Sequence, residues 1–108
     1  MEKVKKALRN FAREVDEEID WMVIGSANLL LQGLNIQPSD IDLVTHVENL
    51  EKIEERFHDS ILAGKKEFEG YTGKFHRLIL EIEGFEFEIV GEKKRRYIPE
   101  VSKGQYIC

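Results

Sequence analysis

The chain has 108 residues, with 16 lysines and arginines against 21 aspartates and glutamates, so its formal net charge is −5. A chain of this length can bury one hydrophobic core without disulfides or structural metal ions, and we expect a single domain over residues 1–108. The acidic balance argues against a broad nucleic-acid footprint, which needs a basic face. The single cysteine, Cys108, excludes an intrachain disulfide and a thiolate-rich zinc site. With no apolar run near the ~20 residues of a membrane span and no signal-peptide pattern, we expect a cytoplasmic protein without a membrane partner.

Hydrophobic periodicity predicts three helices and two strands in the first half of the chain. Apolar residues at helical spacing predict an amphipathic helix over residues 3–20. The apolar run 21–24 favours a buried strand, and residues 26–32 favour a short helix with Ser26 as its N-cap and Gly33 as its end. Alternation predicts a strand over residues 40–45, and helical spacing predicts a helix over residues 47–57.

The second half of the chain predicts a hairpin and a polar tail. Residues 75–83 and 85–90 are typical of two strands joined at Glu83–Gly84. Residues 61–63 fit either a strand or a helix end, and residues 70–73 fit a turn or loop. Residues 91–108 form the tail, so the core covers about residues 21–90. We therefore predict an α/β (α+β) fold with a mixed sheet and helices packed on one face.

The strand patterns place acidic side chains on the face of the sheet opposite the core. If Glu83–Gly84 is a two-residue loop, six apolar side chains point to one side; they are Leu78, Leu80, Ile82, Phe85, Phe87 and Ile89. Glu86 and Glu88 point to the other side. Asp40 and Asp42 likewise alternate with apolar neighbours in their strand. Two separate stretches of chain thus put apolar residues on one face and carboxylates on the other.

Asp40 and Asp42 are the leading candidates for chemistry. They lie two apart in a strand and project from the same face, roughly 6–7 Å apart at the backbone. Carboxylates this close repel each other without a cation, and Mg²⁺ prefers carboxylates, water and phosphate oxygens. Taken alone, such a pair is more often a solvated strand face. Gly25 and Ser26 open a helix after a strand, where free backbone N–H groups bind phosphate, although a plain turn with an N-cap fits them too.

The combination of these features resembles the signature of the DNA polymerase beta-like nucleotidyltransferase superfamily. Gly25–Ser26, a thirteen-residue spacer (27–39) and the strand motif Asp40-Ile41-Asp42 match its glycine-serine turn, spacer and Asp-x-Asp. The likeness covers residues 21–90 and is greatest to small stand-alone and antitoxin-type domains. It implies helices on one side of a mixed sheet and an active site on the other side, in agreement with the face assignment above.

The resemblance also implies roles for individual residues. Asp40 and Asp42 would bind two Mg²⁺ or Mn²⁺ ions, and Gly25 and Ser26 would hold the triphosphate of an NTP donor. Glu88 would supply the third carboxylate, with Glu86 as the alternative. The loop before Asp40 has no basic residue, so the phosphate charge must be met elsewhere; the candidates are Lys65, Lys66, Lys74 and Arg77.

Three functions remain open from the sequence. The first is an enzyme that moves a nucleoside monophosphate from an NTP to an acceptor hydroxyl, with nucleic acid a partner only as acceptor. The alternative is a weakly active or inactive binding module, antitoxin-like or scaffold-like, that pairs with a helical partner protein or a second copy. A cation or nucleotide sensor without turnover is a third, weaker option.

Overall fold

The computed structural model describes residues 2–70 and 73–92, which form three helices and one five-stranded sheet. The helices are α1 (Glu2–Glu14), α2 (Gly25–Leu31) and α3 (Val47–Arg56), and a 3₁₀ turn (His58–Ser60) follows α3. The strands are β1 (Trp21–Ile24), β2 (Asp40–His46), β3 (Ile61–Gly70), β4 (Gly73–Ile82) and β5 (Phe85–Glu92). No helix among these residues is long and apolar enough to cross a membrane.

The sheet is mixed, as predicted. Its strand order is β1-β2-β5-β4-β3. Strands β2 and β5 run parallel at its centre, and the three other pairs are antiparallel. The predicted α+β class is confirmed, because all three helices contribute side chains to a single core against the sheet.

The core lies on the face of the sheet that the sequence predicts. Phe11 of α1 stands at its centre, with its ring 5.3 Å from that of Phe57 and 5.7 Å from that of Phe87. Trp21 meets the same ring edge-on at 5.1 Å. Seven large apolar strand side chains on this face are fully buried; they are Val23, Ile41, Leu43, Leu78, Leu80, Phe87 and Ile89. The opposite face, called the open face below, carries the acidic side chains of β2 and β5.

The β4–β5 turn has the predicted two-residue loop. Glu83 and Gly84 have φ values of 53° and 80°, and a type I′ turn needs a positive φ at both central residues. The register follows, since Ile82 pairs with Phe85 across the turn. Asn10 of α1 donates a hydrogen bond to the Glu83 carboxylate at 2.6 Å, which ties the turn to the helix layer.

The first helix is shorter than predicted. It ends at Glu14 instead of residue 20, although Val15 and Ile19 are buried as their spacing suggested. The three acidic residues 16–18 oppose a longer helix, because negative charge is unfavourable at the negative end of a helix dipole. A turn closed by the Ile19 N–H and the Asp16 carbonyl oxygen, 3.0 Å apart, brings Ile19 to the core instead.

The predicted N-cap of α2 is wrong. The helix begins at Gly25, the residue before it is Ile24 in an extended conformation, and no side chain caps the helix. Ser26 therefore lies inside the first turn of α2. The predicted end of this helix is correct, since Gly33 follows Leu31 closely and has a φ of +100°, typical of a helix-terminating glycine.

Residues 61–70, which the sequence left open, form the edge strand β3. It pairs antiparallel with β4 from Ile61 opposite Leu80 to Gly70 opposite Gly73, with irregular register before Lys66. Most of its side chains are exposed, so the apolar alternation that marks a half-buried strand is missing. Residues 71–72 of the predicted turn and residues 93–108 of the predicted tail lie outside the described part of the chain.

Helix α3 packs directly over Gly91 of β5, and a substitution at Gly91 tests how close this approach is. A Cβ atom there would lie 2.8 Å from the Cα of Val47 and 2.7 Å from a methyl carbon of Leu50. We expect Gly91→Ala to lower the free energy of unfolding by about 1–3 kcal/mol, because the helix backbone must move away. Urea unfolding measures the loss.

Gly64→Ala is the matched control for this variant. The added Cβ would meet only the carboxylate end of Glu54, at 3.0 Å, which can turn aside with the loss of the hydrogen bond that it accepts from the Lys65 N–H. Equal losses in the two variants would show that α3 does not approach β5 as closely as described.

Candidate functional site

Four acidic side chains of the open face lie in register on the two central strands. Asp40 pairs with Glu86, and Asp42 pairs with Glu88, across the parallel β2–β5 pair. Neighbouring strands are about 5 Å apart, so the members of each pair stand side by side. Asp42 and Glu88 are half-buried, whereas Asp40 and Glu86 are exposed at the rim. The predicted face of these carboxylates is confirmed, and their roles stay a prediction.

Gly25 brings the backbone directly against Asp42. Ile24, the last residue of β1, pairs with Asp42, and the chain then turns into α2 at Gly25 with a φ of +69°. A Cβ atom on Gly25 would lie 2.7 Å from Oδ2 of Asp42. Both the conformation and the space therefore require glycine. Gly25 and Ser26 are exposed, so the first turn of α2 opens to solvent beside the Asp42 carboxylate.

The negative charge of the Asp42 carboxylate is unfavourable in this position. Burial raises the pKa of the Asp42 carboxyl above its ordinary value, and the nearby charge of Asp40 raises it further. A cation shared by the two carboxylates would oppose both effects, because it favours the charged form of each. The hard oxygen donors of this pair fit Mg²⁺ or Mn²⁺ better than softer metals.

Glu88 is engaged with Arg77 of β4. A guanidinium nitrogen of Arg77 lies 3.4 Å from Oε2 of Glu88, and both side chains are about one-third exposed. Among residues 2–70 and 73–92, no three carboxylate, histidine or cysteine side chains lie close enough together to hold a metal ion. The aspartate pair thus offers two ligands as it stands. The Glu88 carboxylate is paired with Arg77 instead.

Two of the four basic residues considered for phosphate binding lie on the open face. Lys66 and Arg77 are cross-strand partners on β3 and β4. Lys65 and Lys74 alternate with them and therefore point to the other face. Lys74 lies 3.6 Å from Glu67 there. Positive charge on the open face is thus placed beyond Glu88, on the side away from Asp42.

An aromatic pair that the sequence pattern did not reveal lies beside these cations. Phe68 and Phe75 are cross-strand partners on the open face, with ring centroids 5.6 Å apart and planes 19° from parallel. Both stand two positions from the paired glycines Gly70 and Gly73. A hairpin centred on those glycines would have predicted this pair, but only after residues 61–70 had been recognised as a strand.

Comparison with known proteins agrees with the fold. The chain is similar to the crystal structure of a putative nucleotidyltransferase from Thermotoga maritima, with 31% sequence identity and a TM-score of 0.65. The similarity covers 80% of this chain and 54% of that protein, so this chain spans about half of its length. No protein-family model matches the sequence, and no curated protein matches it.

Removing the Asp42 charge should stabilise the metal-free protein at neutral pH. Because the pKa of Asp42 is higher in the folded chain than in the unfolded chain, the folded state binds more protons. Stability then falls as pH rises from the ordinary aspartate pKa through the raised value. Asp42→Asn should therefore melt at a higher temperature than wild type in EDTA at neutral pH, and this advantage should shrink as the pH is lowered.

Thermal melts across pH measure this difference. Glu86→Gln is the control, because it removes one charge from an exposed position on the same face. A neutral-pH melting temperature of Asp42→Asn at or below that of wild type would contradict the electrostatic description of the pair.

Proposed function

Because the chain folds as a nucleotidyltransferase-like domain, we propose that it transfers a nucleoside monophosphate from an NTP to an acceptor hydroxyl, with Mg²⁺ or Mn²⁺ as cofactor. One observation carries the proposal: Asp40 and Asp42 share a strand face, and Asp42 lies directly against Gly25, the glycine that opens α2. The raised pKa of Asp42 supports it, since such carboxylates are frequent at functional sites.

In this proposal Asp40 and Asp42 hold the metal ions, and Glu88 joins them after leaving Arg77. Bound divalent ions stabilise negative charge on the attacking and leaving oxygens of an in-line phosphoryl displacement. The open face suits this chemistry. Asp40 is exposed, so a charged substrate can reach it from solvent, whereas Asp42 is half-buried and its carboxylate is held in place by its surroundings.

The other residues of the site bind and orient the substrates. Gly25 and Ser26 hold the β and γ phosphates, since the first turn of α2 is exposed, its backbone N–H groups can bind an anion and the Ser26 hydroxyl adds a donor. The acceptor oxygen forms a bond to the α phosphorus, and the bond from that phosphorus to the bridging oxygen breaks. Pyrophosphate leaves with the electron pair, and Glu88 takes the acceptor proton.

A second candidate function is binding without transfer. The contact between Glu88 and Arg77 favours it, because a carboxylate held by a guanidinium neither binds metal nor accepts a proton. In that case the acidic part of the open face receives a helical partner protein or a second copy of the chain.

Nucleotide-dependent stabilisation tests the proposed function. We expect an NTP with Mg²⁺ to raise the melting temperature, because a ligand that binds only the folded state stabilises it. The shift should disappear in Asp42→Asn and persist in Asp59→Asn, an exposed position in the 3₁₀ turn. Transfer of label from an α-labelled NTP then separates the two functions. A shift without transfer favours binding alone, and no shift with any NTP and Mg²⁺ contradicts the enzyme.

Gly25→Ala tests whether the Gly25–Asp42 contact builds the site. The added methyl must displace the Asp42 carboxylate, so the Mg²⁺-dependent shift with NTP should be lost. Gly33→Ala is the matched control. It carries a similar backbone strain of roughly 1–2 kcal/mol at positive φ, but nothing lies within 4 Å of its Cβ. If both variants keep the nucleotide shift, Gly25 does not position Asp42 for binding.

A further inference from the structure

We propose that the β3–β4 half of the open face binds the single-stranded end of a nucleic acid, which is then the acceptor of the transfer. The role as acceptor rests on the proposed function, whereas the binding itself does not. The surface consists of Phe68, Phe75, Lys66 and Arg77 and is called the aromatic platform below.

The aromatic platform combines stacked rings with cations. Phe68 lies against Phe75, and the Arg77 guanidinium lies 4.3 Å from the centroid of the Phe68 ring. The Lys66 ammonium is 5.6 Å from the same centroid. Both rings are only half-buried, and Lys66 is exposed, although large apolar side chains on the other face of the sheet are fully buried. These half-buried rings keep part of their apolar surface in water, and a stacked base would remove that surface from water.

Single-stranded nucleic acid fits this chemistry best. Half-exposed rings stack on bases of any sequence, and neighbouring cations meet the backbone phosphates. The surface offers two cations within a chain of net charge −5. That is too little positive charge for the broad backbone contact of a duplex, but it suits the last nucleotides of a single strand.

The position of the aromatic platform relative to the carboxylates gives the bound end a function. Arg77 touches both Glu88 and Phe68, so it joins the platform to the acidic part of the face. Strand β3 lies two strand spacings from β5, about 10 Å. Phe75 lies four residues along β4 from Ile79, the partner of Glu88, which adds about 13 Å along the strand. A single strand that stacks on the platform therefore runs past Arg77 before its terminal sugar hydroxyl reaches Glu88. The donor phosphates occupy the opposite side, at Gly25 beside Asp42.

Arg77 also links binding of the acceptor strand to release of Glu88. A phosphate of the bound strand competes with Glu88 for the guanidinium, because both are anionic oxygen ligands. Binding of the acceptor end thus frees the Glu88 carboxylate at the place where the acceptor hydroxyl arrives. The contact that holds Glu88 away from the aspartates is released by the substrate itself.

Fluorescence anisotropy in EDTA, without NTP, tests the binding. The probes are a fluorescein-labelled single-stranded RNA, a single-stranded DNA of the same sequence and the RNA duplex. We expect single strands to bind more tightly than the duplex, and Phe75→Leu to weaken their binding about tenfold through loss of stacking. Phe75→Trp, which keeps an aromatic ring, should bind as tightly as the wild type, and the fluorescence of the new tryptophan should be quenched by the stacked base.

Two further variants sharpen this test. Lys66→Gln should weaken binding and reduce its salt dependence. Leu62→Ala, an exposed apolar position on the same strand, is the control that should change neither. Circular dichroism melts of each variant separate lost binding from lost folding.

Three results would overturn the proposal. These are no binding of single strands by the wild type, equal binding by Phe75→Leu, or equal affinity for duplex and single strand. Displacement of the RNA by an acidic peptide at equal concentration would assign the surface to a protein instead. Because metal and NTP are absent, failure here is distinct from failure of the proposed transfer, which the nucleotide melts report.

Discussion

The parallel register of β2 and β5 is the constraint on which the rest of the structure depends. Along this pair, Ile41 opposite Phe87 and Leu43 opposite Ile89 alternate with the two acidic pairs. A slip of one residue would turn the carboxylates into the core and the apolar side chains into solvent. Like charges directly opposite cost roughly 0.2–1 kcal/mol per pair, whereas burial of each large apolar side chain contributes roughly 1.5–3 kcal/mol. Burial on one face therefore forces four acidic side chains together on the other.

This forced grouping divides the open face into two parts with different charge. On the β1–β2 side, the pKa of Asp42 is raised, because burial and the neighbouring Asp40 carboxylate both oppose its negative charge. On the β4–β3 side, Arg77 neutralises Glu88 and carries the aromatic platform. In the proposals made above, the first part binds cations and, through them, phosphates, and the second part binds bases and phosphates directly. Glu88 lies between the two parts, where its carboxylate is paired with the Arg77 guanidinium.

The sequence predicts the fold where a short-range pattern has a single physical interpretation. Alternation in residues 78–89 and the Glu83–Gly84 loop determine the hairpin register, and hence the face of Glu88, without any tertiary information. Residues 15–20 mislead because burial of Ile19 has the same spacing in a helix and in a turn that returns to the core. The N-cap prediction for Ser26 fails because the hydrophobic pattern does not determine the start of a helix to within a residue or two. The positive φ of Gly25, with which the helix begins, cannot be inferred from that pattern. The Arg77–Glu88 contact lies beyond sequence reasoning, since it joins long side chains diagonally across two strands.

The convergence of Asp40, Asp42 and Glu88 on divalent ions is the central claim, and anomalous diffraction tests it most directly. Crystals would be soaked with Mn²⁺ and a non-hydrolysable NTP, and data would be collected at the manganese edge. The account predicts anomalous peaks bound by both aspartates, with triphosphate density at Gly25 and Ser26 and the Glu88 carboxylate turned from Arg77 toward the metal. Manganese absent from the aspartate pair, with the Arg77–Glu88 contact intact, would contradict it.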